Sequence, residues 1–181
     1  MSPAQRSSKA TPTAASPAPE TIFSVERWSA TSGNDRPSRA SLRLVGGGRT
    51  WQGHATGNGA VDALMRAVDE AIARVLSEPV ELLTYNVHAT GHGHAAAAAV
   101  TLSIREFGAG RGAPAYPGRA TFENVLEASL TAYLDAINGL LVDRGVDVAA
   151  LAPAHTRRHQ PATDHETRRH ARDSMMGIYN D

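Results

Sequence analysis

The sequence predicts an α+β fold built from two successive β-β-β-α units, each sheet covered by one helix, in a pseudo-two-fold arrangement with disordered tails. Three observations lead there. The apolar period changes from two to about 3.6 twice along the chain, each time after a run of short strands. An offset of 65 lays the second amphipathic helix on the first, pairing Asp62 with Glu127, Ala63 with Ala128, Ala67 with Ala132 and Ile72 with Ile137. Finally, 181 residues with 41% apolar content suit one domain with a real core, and are too few for a (β/α)₈ barrel, which needs about 250.

The elements follow in order. Residues 1–20 are Pro, Ala, Ser and Thr without apolar periodicity, a composition that cannot offset its ordering entropy and reads as a disordered tail. Ile22–Thr31 and Ala40–Val45 read as strands, the latter with Ala40, Leu42 and Leu44 alternating against Ser41 and Arg43. Gly46-Gly47-Gly48 turns the chain into a short third strand, Arg49–Gly53. From Ala60 the stripe Val61, Leu64, Met65, Val68, Ile72, Val75, Leu76 marks a helix, with Asp62–Arg66 and Glu70–Arg74 as i,i+4 pairs and Pro79 as its stop. Leu83, Tyr85, Val87 and Ala89 then alternate with polar residues, as do Val100, Leu102 and Ile104. A Gly/Pro-rich loop from Gly108 to Gly118 leads to a short segment, Arg119–Phe122. The second helix carries Leu126, Leu130, Tyr133, Leu134, Ile137 and Leu141 on one face. The patterned domain thus spans residues 21–142. Residues 143–181, with four of the eight histidines, read as a flexible His/Arg-containing tail with a short helix near Glu166–Met175.

Composition narrows the function classes. The absence of cysteine removes disulfides, thiolate nucleophiles and cysteine-ligated zinc. Eighteen basic residues balance eighteen acidic ones, so no overall charge favours nucleic acid or an anionic membrane as partner. The first twenty residues lack the apolar core of a secretory signal, and no apolar run reaches the ~20 residues of a membrane span, so a cytoplasmic protein is expected.

Two segments could carry chemistry. Thr56-Gly57-Asn58-Gly59-Ala60-Val61-Asp62 runs directly into a helix, whose unpaired first N–H groups and positive dipole end suit a carboxylate or phosphate. The plainer alternative is a hairpin exit with Asn58 or Thr56 as N-cap. It is neither a P-loop nor a dinucleotide fingerprint, because the Lys-Ser/Thr and the third glycine are missing. The second segment is Val87-His88-Ala89-Thr90-Gly91-His92-Gly93-His94 followed by Ala95–Ala99. Alanine is a poor strand former, so such a wall suits close approach by a helix, a second subunit or a small apolar ligand. His88, His92 and His94 raise the question of a metal, but no carboxylate lies nearby in sequence, and no metal or cofactor is expected. No G-x-S-x-G elbow is present, Ser129 falls inside a helical stripe, and Asp62, Glu127 and Asp135 suit ordinary helix positions, so no catalytic residue is assigned.

The runs GNGAVDALMRAV (57–68), ELLTYNVHATGHGHAAAAAVTLSI (81–104) and NVLEASLTAYLDAIN (124–138) resemble the C-terminal regulatory domain of 2-isopropylmalate synthase, which also occurs in some citramalate synthases. The resemblance covers residues 21–142. It implies a duplicated β-β-β-α domain that dimerises and binds leucine as an effector rather than a cofactor. It implies no synthase activity for this chain alone, because the catalytic barrel is absent; a separately encoded synthase chain is then a further partner. Carried over residue by residue, the leucine site uses Gly57, Asn58, Gly59 and Asp62, faced by Ala89, Ala96 and Ala98. The chain departs from the family pattern at Ala60 (usually Pro), at His94 and Ala95 (often polar or acidic), and at Asn124 (usually Asp). An isoleucine-sensing domain of the citramalate type, or an interaction module that has lost its ligand, are the alternatives.

Overall fold

The computed structural model describes residues 21–151 apart from Ser77, His92, His94, Ala95 and Arg111. Both tails beyond these limits, including the helix expected near residues 166–175, lie outside the described residues. The element order is β1 (Ser24–Thr31), β2 (Ser38–Gly46), β3 (Arg49–Gly57), α1 (Ala60–Ile72), β4 (Val80–Thr90), β5 (Ala97–Glu106), β6 (Tyr116–Phe122) and α2 (Val125–Asp143). Two three-stranded antiparallel sheets, β1-β2-β3 and β4-β5-β6, each lie under the helix that follows them. This is the duplicated β-β-β-α architecture that the periodicity predicts.

The duplication extends to details of backbone geometry. In each unit the helix lies so close to the third strand that a Cβ on one glycine would sit inside a helix carbonyl: 1.8 Å from Ala67 O for Gly53, and 1.9 Å from Ala132 O for Gly118. Both glycines and both alanines are related by the same offset of 65. Beside each glycine, a helix carboxylate accepts the next N–H of the edge strand: Glu70 from His54 at 2.6 Å and Asp135 from Arg119 at 3.0 Å. Strand edges expose such unpaired donors, and the helix acids cover them. The first strand of each sheet also breaks register at the same place, between Val25 and Arg27 and between Leu82 and Thr84.

These contacts explain where the sequence reading stops short. The third strand runs to Gly57 rather than Gly53, with Ala55 opposite Ala40 and Thr56 opposite Arg39. β6 begins at Tyr116, inside the stretch read as loop, because Pro117 is tolerated on an edge strand and Gly118 is a packing contact rather than a breaker. In both strands a glycine, read as a strand end at Gly53 and as a loop residue at Gly118, is the point where the helix touches the sheet. α1 ends at Ile72, and the Val75 N–H closes a tighter turn onto Ile72 O, so Val75 and Leu76 join the core from outside the helix. Glu70 turns to His54 of the sheet, whereas Asp62–Arg66 forms as an i,i+4 pair at 2.9 Å. Residues 144–151, expected to belong to the tail, pack on the domain: Val148 is buried, and Arg49 donates to the carbonyls of Ala149 and Leu151.

One core unites both units. α1 presents Leu64, Met65, Val68 and Ile72; α2 is buried on most of its circumference by β5, β6 and α1. α2 is the one helix among the described residues long and apolar enough to cross a membrane, but its buried side chains account for that composition. Two polar links cross the seam between units. The buried Asn138 amide of α2 accepts the Phe23 N–H and donates to the Phe23 carbonyl, both at 2.9 Å. The Tyr133 hydroxyl of α2 donates to Asp69 Oδ1 of α1 at 2.7 Å. Burial pushes the Asp69 carboxyl up to about 6, against the opposing effects of Tyr133 and Arg66.

Three outcomes follow for stability. Gly53→Ala and Gly118→Ala each force a helix off its sheet and should cost about 3 kcal/mol or more in urea unfolding. Gly139→Ala, a helix-interior glycine with open space beside it, should instead gain about 0.5–1 kcal/mol. Asp69 has a higher pKa folded than unfolded, so the native state binds the extra proton and stability falls as pH rises from about 4 to about 6. Asp69→Asn should remove that loss, on the order of 2 kcal/mol, when unfolding is compared at pH 4 and pH 7.

Candidate functional site

The glycine-rich segment forms the passage from β3 into α1. Gly57 closes the strand with no room for a side chain, since a Cβ there would lie 2.5 Å from Ala63 N and 2.6 Å from Asp62 Oδ2. The chain then reaches Gly59, the N-cap, in an extended conformation that any residue can adopt, with open space where a Cβ would point. Gly59 offers its carbonyl to Ala63 N–H at 2.9 Å but has no side chain to cap the helix. The N–H groups of the first turn therefore face outward uncapped at the positive end of the helix.

Asp62 is engaged locally. Its carboxylate accepts the Asn58 N–H at 2.9 Å through Oδ2 and the Arg66 Nε at 2.9 Å through Oδ1. Burial alone would raise its pKa, but the Asn58 N–H and the Arg66 guanidinium outweigh it and hold the carboxyl below the usual carboxylate range. Asp62 thus fixes the loop as a permanent anion. The plainer expectation, that Asn58 or Thr56 caps α1 through its side chain, does not hold.

The second unit treats the same position differently. Asn124, equivalent to Gly59, caps α2 by accepting the Leu126 N–H on its side chain at 2.9 Å. The duplicated scaffold therefore has one closed helix start and one open one. That difference was legible in the sequence only as glycine against asparagine.

The alanine segment lies at the end of the second sheet where α2 begins. Ala89 and Ala98 are direct cross-strand partners, and Phe122 of β6 lies opposite Ala98 on the other side. Ala98 shares its face with Val100, Leu102 and Ile104, which turn to the core. Beyond the helix, Ala89, Val87 and Phe122 are exposed, forming an open apolar shelf. Ala96 precedes β5, half-buried, with its N–H on the Gly93 carbonyl. His88 is exposed opposite Ala99, while His92 and His94 lie outside the described residues; among the described residues no three metal-capable side chains gather.

The sequence reading has these alanines facing the glycine loop. Within one chain the four loop residues belong to the first unit and the three alanines to the second. No extensive packing joins β3 or α1 to β4 or β5 among the described residues. A hollow of about 600 Å³ runs along the seam between edge strand β1 and α2, with Val25, Trp28, Phe122, Leu130 and Leu134 among its walls.

Comparison with known proteins bears on this arrangement. Residues 9–141 match the family model described as LeuA allosteric (dimerisation) domain. Over 122 residues, 67% of this chain, the sequence is 34% identical to the 2-isopropylmalate synthase of Nitrobacter hamburgensis and 36% identical to that of Rhodopseudomonas palustris. The 2-isopropylmalate synthase of a Geobacillus species is 31% identical over 117 residues, 65% of this chain. The matched region is 22% of each of the first two relatives and 21% of the third, so the chain spans about a fifth of their length.

Proposed function

This chain belongs to the LeuA allosteric (dimerisation) domain family, and on that premise we propose that it is a homodimeric effector-binding module that senses leucine or a similar branched-chain amino acid. It carries out no synthase reaction itself and acts on a separate synthase chain, in the cytoplasm. The observation that carries this reading is the asymmetry between the two helix starts: α2 is capped by Asn124, whereas α1 begins at a bare Gly59.

An amino-acid carboxylate suits that open start, where N–H groups and the helix dipole favour negative charge. The ammonium group is left to loop carbonyls, with Asp62 as a nearby fixed anion. An isobutyl group suits the shelf of Ala89, Ala96 and Ala98, where methyl side chains leave space above the sheet. Cradle and shelf lie in different units, so closing a complete pocket over the ligand falls to the second copy in the dimer. A micromolar effector needs about 8 kcal/mol. Burying four apolar carbons and forming a few charge-assisted bonds supplies a sum of that order. Regulation then requires two states that differ in leucine affinity, with couplings of about 1–3 kcal/mol being typical.

The separation of cradle and shelf within one chain favours a second reading, a dimerisation module without ligand. Calorimetric titration of the full chain with leucine, isoleucine and valine separates the two. Saturable heat with leucine is expected, and silence with all three amino acids at millimolar concentration would leave only the dimerisation module. Gly59→Asp places a carboxylate where the ligand's belongs: it should stabilise the fold by about 0.5–1 kcal/mol as a new N-cap and abolish the leucine heat. Acetyl-CoA consumption in the presence of 2-oxoisovalerate should be absent for the purified chain.

A further inference from the structure

The outer face of the first sheet holds a concentration of positive charge that neither the fold nor the proposed effector site uses. Arg27 and Arg43 are direct cross-strand partners on β1 and β2, an arrangement of like charges that destabilises a sheet. A hollow of about 250 Å³ opens between them, with Ser29, Ser41, Gln52 and His54 around it. The register places all six on one face: Ser41 lies opposite Ser29 and His54, and Arg43 lies opposite Arg27 and Gln52. Arg39, two residues from Ser41 on the same strand, adds a further guanidinium. Among the described residues Glu26 is ion-paired to Arg43, 3.5 Å from its Nε and too far for a good hydrogen bond, and that buried Nε, like that of Arg105 on the second sheet, has no hydrogen-bond partner.

The second sheet shows what this face is like without such a concentration. There the positions equivalent to Arg27 and Arg43 are Thr84 and Ser103, whose hydroxyls bond to each other at 2.7 Å and need nothing further. Pro117 and Arg119 stand in place of Gln52 and His54. The first sheet thus sets two guanidinium groups directly opposite each other where the second sets a bonded pair of hydroxyls. Guanidinium forks, an amide, an imidazole and the one O–H left over from the Ser29–Ser41 hydroxyl bond, 2.8 Å long, surround a small hollow and match a compact, multiply charged oxyanion.

We propose that the hollow between Arg27 and Arg43 is a binding site for a small multivalent oxyanion, of the phosphate or dicarboxylate class, distinct from the amino-acid site at the start of α1. The ligand would neutralise the cross-strand guanidinium pair. The proposal stands whether or not leucine binds.

The test is thermal unfolding and calorimetric titration of the full chain in sodium phosphate, in sodium malonate, and in sodium chloride at matched ionic strength. A rise in Tm with phosphate, malonate or both, relative to chloride, is expected; which anion acts identifies the source class. Phosphate also stabilises proteins generally by exclusion from their surface, so the variants decide. Arg43→Gln and Arg27→Gln should each weaken anion binding about tenfold or more and remove the rise. In chloride alone Arg27→Gln should unfold at a higher temperature than the unmodified chain, because the like-charge pair is gone. Arg119→Gln, on the second sheet, should leave the anion effect intact. Equal Tm in all three salts, or the same rise in both hollow variants, overturns the site.

Discussion

The structure depends on how closely each helix backbone lies against the third strand of its sheet. At Gly53 and Gly118 the distance is set by the absence of a Cβ, and the facing residues, Ala67 and Ala132, are small as well. Such close approach lets the flanking side chains of α1 and α2 reach deep into their sheets, so Leu64, Ile72, Ile137 and Leu141 are fully buried in a domain of modest size. It also brings the helix carboxylates of Glu70 and Asp135 within reach of the strand edge, where they satisfy donors that would otherwise invite another strand. Packing and edge protection thus share one cause.

Around this repeated contact the two units have diverged where repetition is not required. The helix starts differ, open at Gly59 and capped at Asn124. The outer sheet faces differ too, with a pair of arginines in one unit where the other has a bonded threonine and serine. Both differences put uncapped N–H groups or facing cations in the first unit where the second has a local hydrogen bond. The seam is asymmetric as well: α2 supplies both Asn138 and Tyr133, so the second unit's helix ties the two halves together.

Much of this was legible in the residues. The change of period marked both helices, the alternation in β2 and β5 marked the central strands, and the offset of 65 between helices reported the duplication. The resemblance carried by GNGAVDALMRAV and its companion runs pointed to the family that the comparisons show. Glycine misled the reading twice, at Gly53 and Gly118, because a residue that ends a strand and one that admits a helix are the same letter. Glu70 was misread for a related reason: its i,i+4 spacing to Arg74 is visible in sequence, whereas its stronger bond to the His54 N–H exists only once α1 lies on β3. Arg27 and Arg43 lie too far apart in sequence for their pairing to be apparent before β1 and β2 are in register.

The sequence by itself determined the local and periodic features: which stretches are strands, which are helices, that the order repeats, and that a glycine loop opens the first helix. These follow from side-chain spacing and backbone preference, which act over a few residues. Tertiary structure decided what depends on distant segments meeting. It made Asp69 a buried acid under the Tyr133 hydroxyl, turned Gly118 from a turn residue into a packing contact, and set Arg27 and Arg43 of two strands opposite each other beside one hollow. Burial and charge proximity are properties of the folded surface, and no spacing along the chain encodes them directly.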